Sequence, residues 1–290
     1  MPYAADISRA NPACFLFLII ECMGMGHDIP GHKGRTKGEI ASDAVNRIVD
    51  TLVQRCSSGM EVRDYFDIGI LGFTSAHGSG HRLEITSPFP GTSREQPFLP
   101  ISQVAEAAHI VERRVRENYG GEVVEVKRRM PVWLQVKPKS WDPMRGMLEF
   151  VQRPLAEWIE LHPNSYPPTV VIICDGWATD GDPQKAADSV KNLKTNDGNA
   201  LLFIVHLSSA QTRPTMFPAQ ERGLPSLGEA TDDSKLMFRM ASALPEGIRR
   251  QAADLNIPVE ERSRGLILNA DAVALAQFLD IGTRGPSNLR

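Results

Sequence analysis

Residues 15–29 read FLFLIIECMGMGHDI, an apolar run that ends abruptly in polar, small and glycine residues. Six successive apolar residues, 15–20, are typical of a strand buried on both faces, as in a parallel sheet. The residues that follow predict a loop at the carboxyl edge of that sheet, where open α/β folds bind their ligands. The stretch therefore predicts an α/β fold and places one carboxylate, Glu21, and one thiol, Cys22, at its ligand edge.

The rest of the chain alternates strands with helices, which predicts a doubly wound, mostly parallel sheet with helices on both faces. Periodicity predicts further strands at about residues 66–73, 169–175, 200–209 and 264–268. It predicts helices at about residues 36–55, 142–161, 183–193, 232–241, 245–255 and 270–281. Asp142, which is followed by a proline, and Asn269 are the predicted N-caps of the helices that they precede.

Residues 76–138 interrupt this alternation and are predicted to be an insertion after the second strand. Residues 77–100 are rich in Gly, Ser, Pro and Thr, which predicts a loop. Residues 110–119 and 122–129 flank Gly120-Gly121, which indicates a hairpin, but a helix over residues 101–118 fits equally well. We expect one domain over residues 11–290, with a helical C-terminal extension, residues 210–290, packed on the core.

Composition argues against several classes of function. The 290 residues carry a formal net charge of −3, whereas nucleic-acid binding needs a concentrated basic surface. Basic clusters at residues 113–116 and 127–129 are interleaved with glutamates, which indicates a solvated face. Four scattered cysteines form no CxxC pair and no apolar run reaches membrane-spanning length, so we expect a cytoplasmic protein without membrane contact. The sequence leaves the oligomeric state open.

Three motifs follow one another along the chain: FLFLI-x-E-x-x-x-M from residue 15, D-P-M at residues 142–144, and VVIICDGWATDGDP at residues 170–183. Together they resemble the von Willebrand factor A (VWA) domain family, and most closely its bacterial cytosolic members. The resemblance covers residues 11–209, and the segments MFRMASALP and NADAVALAQFLDIGTR are similar to the C-terminal part of those bacterial proteins. It implies a Rossmann-like VWA fold and non-enzymatic protein binding within a multi-protein assembly.

The resemblance also implies a metal-ion-dependent adhesion site, or MIDAS. There Mg²⁺ is held by a D-x-S-x-S motif after the first strand, a Thr from a second loop and an Asp after the fourth strand. Mg²⁺ prefers octahedral oxygen ligands, and an open position accepts a carboxylate from the partner. The corresponding positions here are Ile20, Cys22, Gly24, Asp142 and Asp175. Only Asp175 matches the motif, so we expect a degenerate MIDAS, and as an alternative a weak Mg²⁺ or Mn²⁺ site at Asp142 and Asp175.

A softer metal such as Zn²⁺ is a further alternative at the same edge, because it accepts thiolates and imidazoles. Its candidate ligands are Cys22, His27, His32, Asp142, Cys174 and Asp175. Cys174 and Asp175 are adjacent, however, so in a strand their side chains point to opposite faces. His77 and His81 form a second, flexible-loop candidate pair. A Cys22–Cys174 disulfide is disfavoured in a reducing compartment.

Apolar and polar residues around the degenerate positions predict a protein-binding rim, made of Glu21, Met23, Met25, Trp141 and Trp177. Exposed Trp and Met are favoured anchors in protein interfaces. No nucleophile and base occur at a recognisable spacing, so we expect no enzymatic activity and no cofactor. The alternative from another class is an enzyme, or an enzyme subunit, that uses the cysteines.

Overall fold

The computed structural model describes residues 3–29, 31–75, 82–92, 96–119, 122–176, 178–209, 212–227 and 233–283, with the backbone alone at 115–119, 122 and 123. Its helices are α1 (Lys37–Cys56), α2 (Ile101–Glu106), α3 (Met144–Leu161), α4 (Gln184–Asn192), α5 (Asp233–Met240), α6 (Glu246–Asp254) and α7 (Ala272–Gly282). Its strands are β1 (Ala13–Ile20), β2 (Ser57–Ser58), β3 (Glu61–Val62), β4 (Phe66–Ser75), β5 (Leu83–Thr86), β6 (Phe98–Pro100), β7 (His109–Tyr119), β8 (Glu122–Val132), β9 (Thr169–Cys174), β10 (Lys194–Thr195), β11 (Gly198–Asn199), β12 (Leu201–His206), β13 (Thr215–Met216) and β14 (Leu266–Leu268).

The central sheet is doubly wound and mostly parallel. Its strands lie in the order β13-β14-β12-β9-β1-β4-β5, and β6 also pairs with β4. β1 pairs in parallel with β4 and β9, and β12 pairs in parallel with β9 and β14. The chain thus passes from β1 to its neighbour β4, and then returns past β1 to β9 and β12 on the opposite side of β1. This order confirms the predicted mixed α/β architecture and is compatible with a Rossmann-like fold.

Helices cover both faces of this sheet. Every residue of β1, β9 and β12 is buried, as expected for parallel strands between two helical layers. Connections between parallel strands are right-handed, so connections that step along the sheet in opposite directions place their helices on opposite faces. Accordingly α1 contacts α2 and α7, whereas α4 contacts α3 and α5. The start of α1 is fixed by a capping box between Thr36 and Glu39.

The insertion contains a short helix and a long hairpin. β7 and β8 pair in antiparallel register from His109 opposite Val132 to Tyr119 opposite Glu122, which confirms the hairpin and restricts the helix to α2. The Gly120-Gly121 turn, His77 and His81 lie outside the described residues. The loop predicted over residues 77–100 is wrong in part, because β5 and β6 lie there and pair with β4. Such edge strands tolerate polar residues and therefore lack a strong apolar signal.

The C-terminal segment joins the same sheet. β14 pairs with β12, and α7 packs on α1. The predicted cap of α7 is wrong: the carboxylate of Asp271, not Asn269, accepts a hydrogen bond from the Ala274 amide at 2.8 Å. Asn269 adopts a left-handed conformation with φ 55°, which asparagine tolerates. No helix in the described ranges has the length and apolar character needed to cross a membrane.

Candidate functional site

The candidate site lies where β1 and β9 end side by side at the carboxyl edge of the sheet. Ile19 pairs with Ile173, so the residues after both strands emerge together. A third loop joins them, because the Met23 amide donates to the Ser140 carbonyl at 3.1 Å. As a result the Sγ atom of Cys22 and the carboxylates of Asp142 and Asp175 all lie within 4.8 Å of one another. The three loops therefore converge as the sequence predicts.

The carboxylate of Asp175 has two side-chain partners. The Cys22 thiol donates to Oδ1 at 2.7 Å, and the Lys37 ammonium donates to Oδ2 at 3.3 Å. Both ends of the ion pair are largely buried, with 5% of the Lys37 side chain and 15% of the Asp175 side chain exposed. Lys37 is the first residue of α1 and was missed by the sequence analysis. The positive charge of a lysine at a helix N-terminus is repelled by the positive end of the helix dipole. A lysine at this position was therefore a sign in the sequence that an anion lies nearby.

Gly24 lies directly against the same carboxylate. It belongs to a short 3₁₀ turn, Met23–Gly26, and a β-carbon on Gly24 would be 1.6 Å from Oδ2 of Asp175. The carboxylate thus fills the volume that a side chain at this position would need. Ile20 is completely buried in the core. Neither the Ile20 side chain nor Gly24 offers a ligand atom to the cluster.

Asp142 does not cap α3, so this prediction is wrong. Pro143 occupies the N-cap position, one residue later than expected, and α3 begins at Met144. The capping carboxylate is that of Asp180 in the loop after β9. It accepts hydrogen bonds from the backbone amides of Arg145 at 3.1 Å and Gly146 at 2.7 Å. A carboxylate from a distant loop therefore satisfies this helix terminus and leaves Asp142 for another role.

The Asp142 side chain is buried. Both carboxylate oxygens are inaccessible, and neither has a partner within the described part of the chain. Burial, followed by the negative charges of Asp175 and Asp180, raises the pKa of Asp142 well above its usual range. The Met144 backbone amide acts on the pKa of Asp142 in the opposite direction. Asp142 is therefore an unsatisfied carboxyl group facing the cluster.

Two titratable groups beside the ion pair, Cys22 and His206, have pKa values shifted in the direction that favours the uncharged form. Burial and then the charge of Asp175 raise the pKa of the Cys22 thiol far above its usual range. His206, at the end of β12, has its pKa lowered to about 4 by burial and by the charge of Lys37. Its Nδ1 atom accepts a hydrogen bond from the Asn269 amide at 3.2 Å. His206 was not among the residues predicted for the site, although a lone histidine at the end of an apolar strand indicates a polar group at this edge of the sheet.

This donor set fits Mg²⁺ poorly. Mg²⁺ requires near-octahedral oxygen coordination, whereas the site offers two carboxylates, a protonated thiol and a lysine ammonium. The softer-metal set is also smaller than expected. Cys174 directs its thiol at the Val205 carbonyl, 3.6 Å away, and is not part of the cluster. His27 and His32 do not belong to the cluster either, as far as the described residues show.

Only part of the predicted rim is exposed. Met23 and Trp141 are 61% and 38% exposed, and their loops are joined by the hydrogen bond from the Met23 amide to the Ser140 carbonyl. Glu21 and Met25 are buried, so their assignment to the rim is wrong. Glu21 forms an ion pair with Lys139 at 3.4 Å. Met25 is buried although Met23 is exposed, because a 3₁₀ turn has three residues per turn and residues two apart lie on different sides of it. Trp177 lies outside the described residues.

No protein-family model matches this chain, and no curated protein is significantly similar to it. The chemistry of the site is therefore the basis on which a function is assigned.

Proposed function

We propose that this chain is a non-enzymatic protein-binding module of the VWA type, whose degenerate adhesion site acts without a metal ion as part of a multi-protein assembly. The observation that carries the proposal is the exposed pair of Met23 and Trp141 beside the cluster of Cys22, Asp142 and Asp175. This pair lies at the edge of a doubly wound sheet where such folds bind ligands. Large apolar side chains at such a position suit a protein partner.

The electrostatics of the cluster support binding without metal. Asp175 already has a cationic partner in Lys37, and Gly24 leaves no side chain to complete a coordination shell. The Lys37 ammonium is buried, so it presents no accessible charge to a carboxylate of the partner. We therefore expect the contact surface to be the apolar pair, Met23 and Trp141, and the interaction to be insensitive to chelators.

Affinity capture from the native cells with three baits tests this proposal. The baits are the wild-type chain, the double variant Met23→Ala/Trp141→Ala, and the control Met60→Ala, whose fully exposed methionine lies between β2 and β3. We expect a defined set of proteins to be lost with the double variant and retained with the control. The same set should be retained in EDTA. Capture that is equal for all three baits contradicts the proposal.

A second candidate function keeps a weak divalent-metal site. The observation that favours it is the unsatisfied carboxylate of Asp142, close to Asp175. A bound ion would stabilise the native state, so Mg²⁺, Mn²⁺ or Zn²⁺ would raise the melting temperature of metal-free protein. Stabilisation that disappears in Asp142→Asn would establish this alternative, and the absence of any shift at millimolar metal would exclude it.

The cysteine-enzyme alternative receives little support from the site. Nucleophilic catalysis needs a thiolate, but the pKa of Cys22 is raised by burial and by the charge of Asp175. Cys14 and Cys174 are fully buried, and burial also raises the pKa of each thiol. We expect Cys22 in the folded protein to resist alkylation at neutral pH. Rapid, stoichiometric alkylation of Cys22 would reopen this alternative.

A further inference from the structure

Lys37 reaches the cluster from an unfavourable place. Its ammonium lies at the positive end of the α1 dipole and is removed from water, although lysine is almost never buried without a partner. Asp175 is the acidic residue with which it forms an ion pair, at 3.3 Å. Its position therefore follows from the need to neutralise this carboxylate.

The backbone around Lys37 holds it in this position. The Lys37 amide donates to the His27 carbonyl at 2.9 Å, which fastens the loop after β1 to the start of α1. The preceding residue, Thr36, forms the capping box with Glu39. Because the helix start is fixed on both sides, the lysine side chain is directed toward Asp175, with which it forms its ion pair.

We propose that Lys37 is the resident cation of this site, and that its ammonium supplies internally, at Asp175, the positive charge that a divalent ion would otherwise bring to the cluster. Lys37 is thus a positioning residue that joins α1 to the loop after β9 through Asp175. This inference does not depend on the identity of a protein partner. It has the direct consequence that removing the ammonium exposes a three-ligand cluster to metal.

The geometry of the remaining ligands explains this consequence. Without the Lys37 ammonium, two carboxyl groups and one thiol would remain within 4.8 Å of one another, and Asp175 would lose its cationic partner. Three protein ligands with a water in the fourth position form a recurring zinc arrangement, and a thiol suits Zn²⁺ better than Mg²⁺. The neutral end of a shortened side chain at residue 37 would no longer repel the ion.

Zinc binding by matched variants tests the proposal. We would compare wild type, Lys37→Met and the control Lys191→Met by equilibrium dialysis against Zn²⁺ and Mn²⁺, with metal content and melting temperature as readouts. Lys191 forms a partly buried ion pair with Asp188 at 2.9 Å, far from the cluster. We expect Lys37→Met alone to gain a stoichiometric zinc ion and a zinc-dependent rise in melting temperature. The additional change Asp175→Asn should abolish both.

Two results would overturn the proposal. If Lys37→Met folds but binds no more zinc than the control, the Lys37 ammonium does not block a metal site. Stoichiometric metal binding by the wild type, lost in Asp175→Asn, would show that Lys37 is displaced rather than resident. The wild-type measurement decides even if Lys37→Met fails to fold. If Lys37→Met gains no zinc, this inference fails and the protein-binding proposal stands. Stoichiometric metal binding by the wild type would also contradict the metal-free part of that proposal, whereas its apolar contact surface is tested separately by the capture experiment.

Discussion

The ion pair between Lys37 and Asp175 allows a double-mutant cycle with a predictable outcome. The pair is largely buried, and breaking a buried pair by removing one partner costs about 3–5 kcal/mol, because a charge is left uncompensated. Asp175 retains some solvent contact and the Cys22 thiol, so we expect Lys37→Met to cost about 3 kcal/mol of unfolding free energy. Asp175→Asn should cost a similar amount, because it leaves the buried Lys37 ammonium without its anionic partner.

The double variant Lys37→Met/Asp175→Asn removes both charges and should lose less than the two single changes together. We expect a coupling energy of about 2 kcal/mol from urea unfolding at neutral pH. The matched cycle at Lys191 and Asp188, where the aspartate is half exposed, should give a coupling below about 1 kcal/mol. Single-variant costs that add within about 0.5 kcal/mol would refute the assignment of Lys37 as the partner of Asp175.

Three further predictions concern the surroundings of the pair and the core beneath the hairpin. Gly24→Ala should destabilise the protein by about 2–4 kcal/mol in urea unfolding, because the new methyl group displaces the Asp175 carboxylate. The control Gly26→Ala should change stability by less than about 1 kcal/mol, because its β-carbon would lie 3.5 Å from the nearest neighbouring atom. The pKa of His206 is lowered from 6.5 to about 4, so between these pH values the native state binds fewer protons than the unfolded state. The contribution of His206 to stability is therefore full above pH 6.5 and falls by up to about 3 kcal/mol as the pH drops to 4. His206→Gln should flatten this part of the pH profile. Asn46→Ala should cost about 3 kcal/mol in the same assay, because the buried Asn46 side-chain amide forms hydrogen bonds with three backbone groups of the segment after β8. An unchanged unfolding midpoint for Gly24→Ala or Asn46→Ala, or a pH profile that His206→Gln leaves unaltered, would contradict the corresponding prediction.

The sheet could be predicted from the sequence where strands are buried on both faces. β1, β9 and β12 are fully buried, so each is a continuous apolar run that periodicity detects. β5 and β6 pair with only one neighbour at the sheet edge and have half-exposed residues, which gives them no such signal. Helix termini depend on distant groups, as Asp180 shows for α3, and a local capping rule selects the wrong residue there.

The site was predictable only as far as the backbone determines it. The convergence of Cys22, Asp142 and Asp175 follows from parallel strands ending at one edge. Lys37 is 138 residues from Asp175 along the chain. Sequence spacing does not indicate which distant residue a long side chain will contact. Exposure within a short turn is equally hidden, since Met23 faces solvent whereas Met25 enters the core.

A crystal structure of the wild-type protein grown with Mn²⁺ and Zn²⁺ tests the central claim most directly. Anomalous difference maps locate these ions independently of the protein phases. We predict no anomalous peak among Cys22, Asp142 and Asp175, and Nζ of Lys37 within about 3.5 Å of the Asp175 carboxylate, at hydrogen-bond or ion-pair distance. A metal peak bound by these three residues, with Lys37 turned away, would contradict the claim that lysine is the cation of this site.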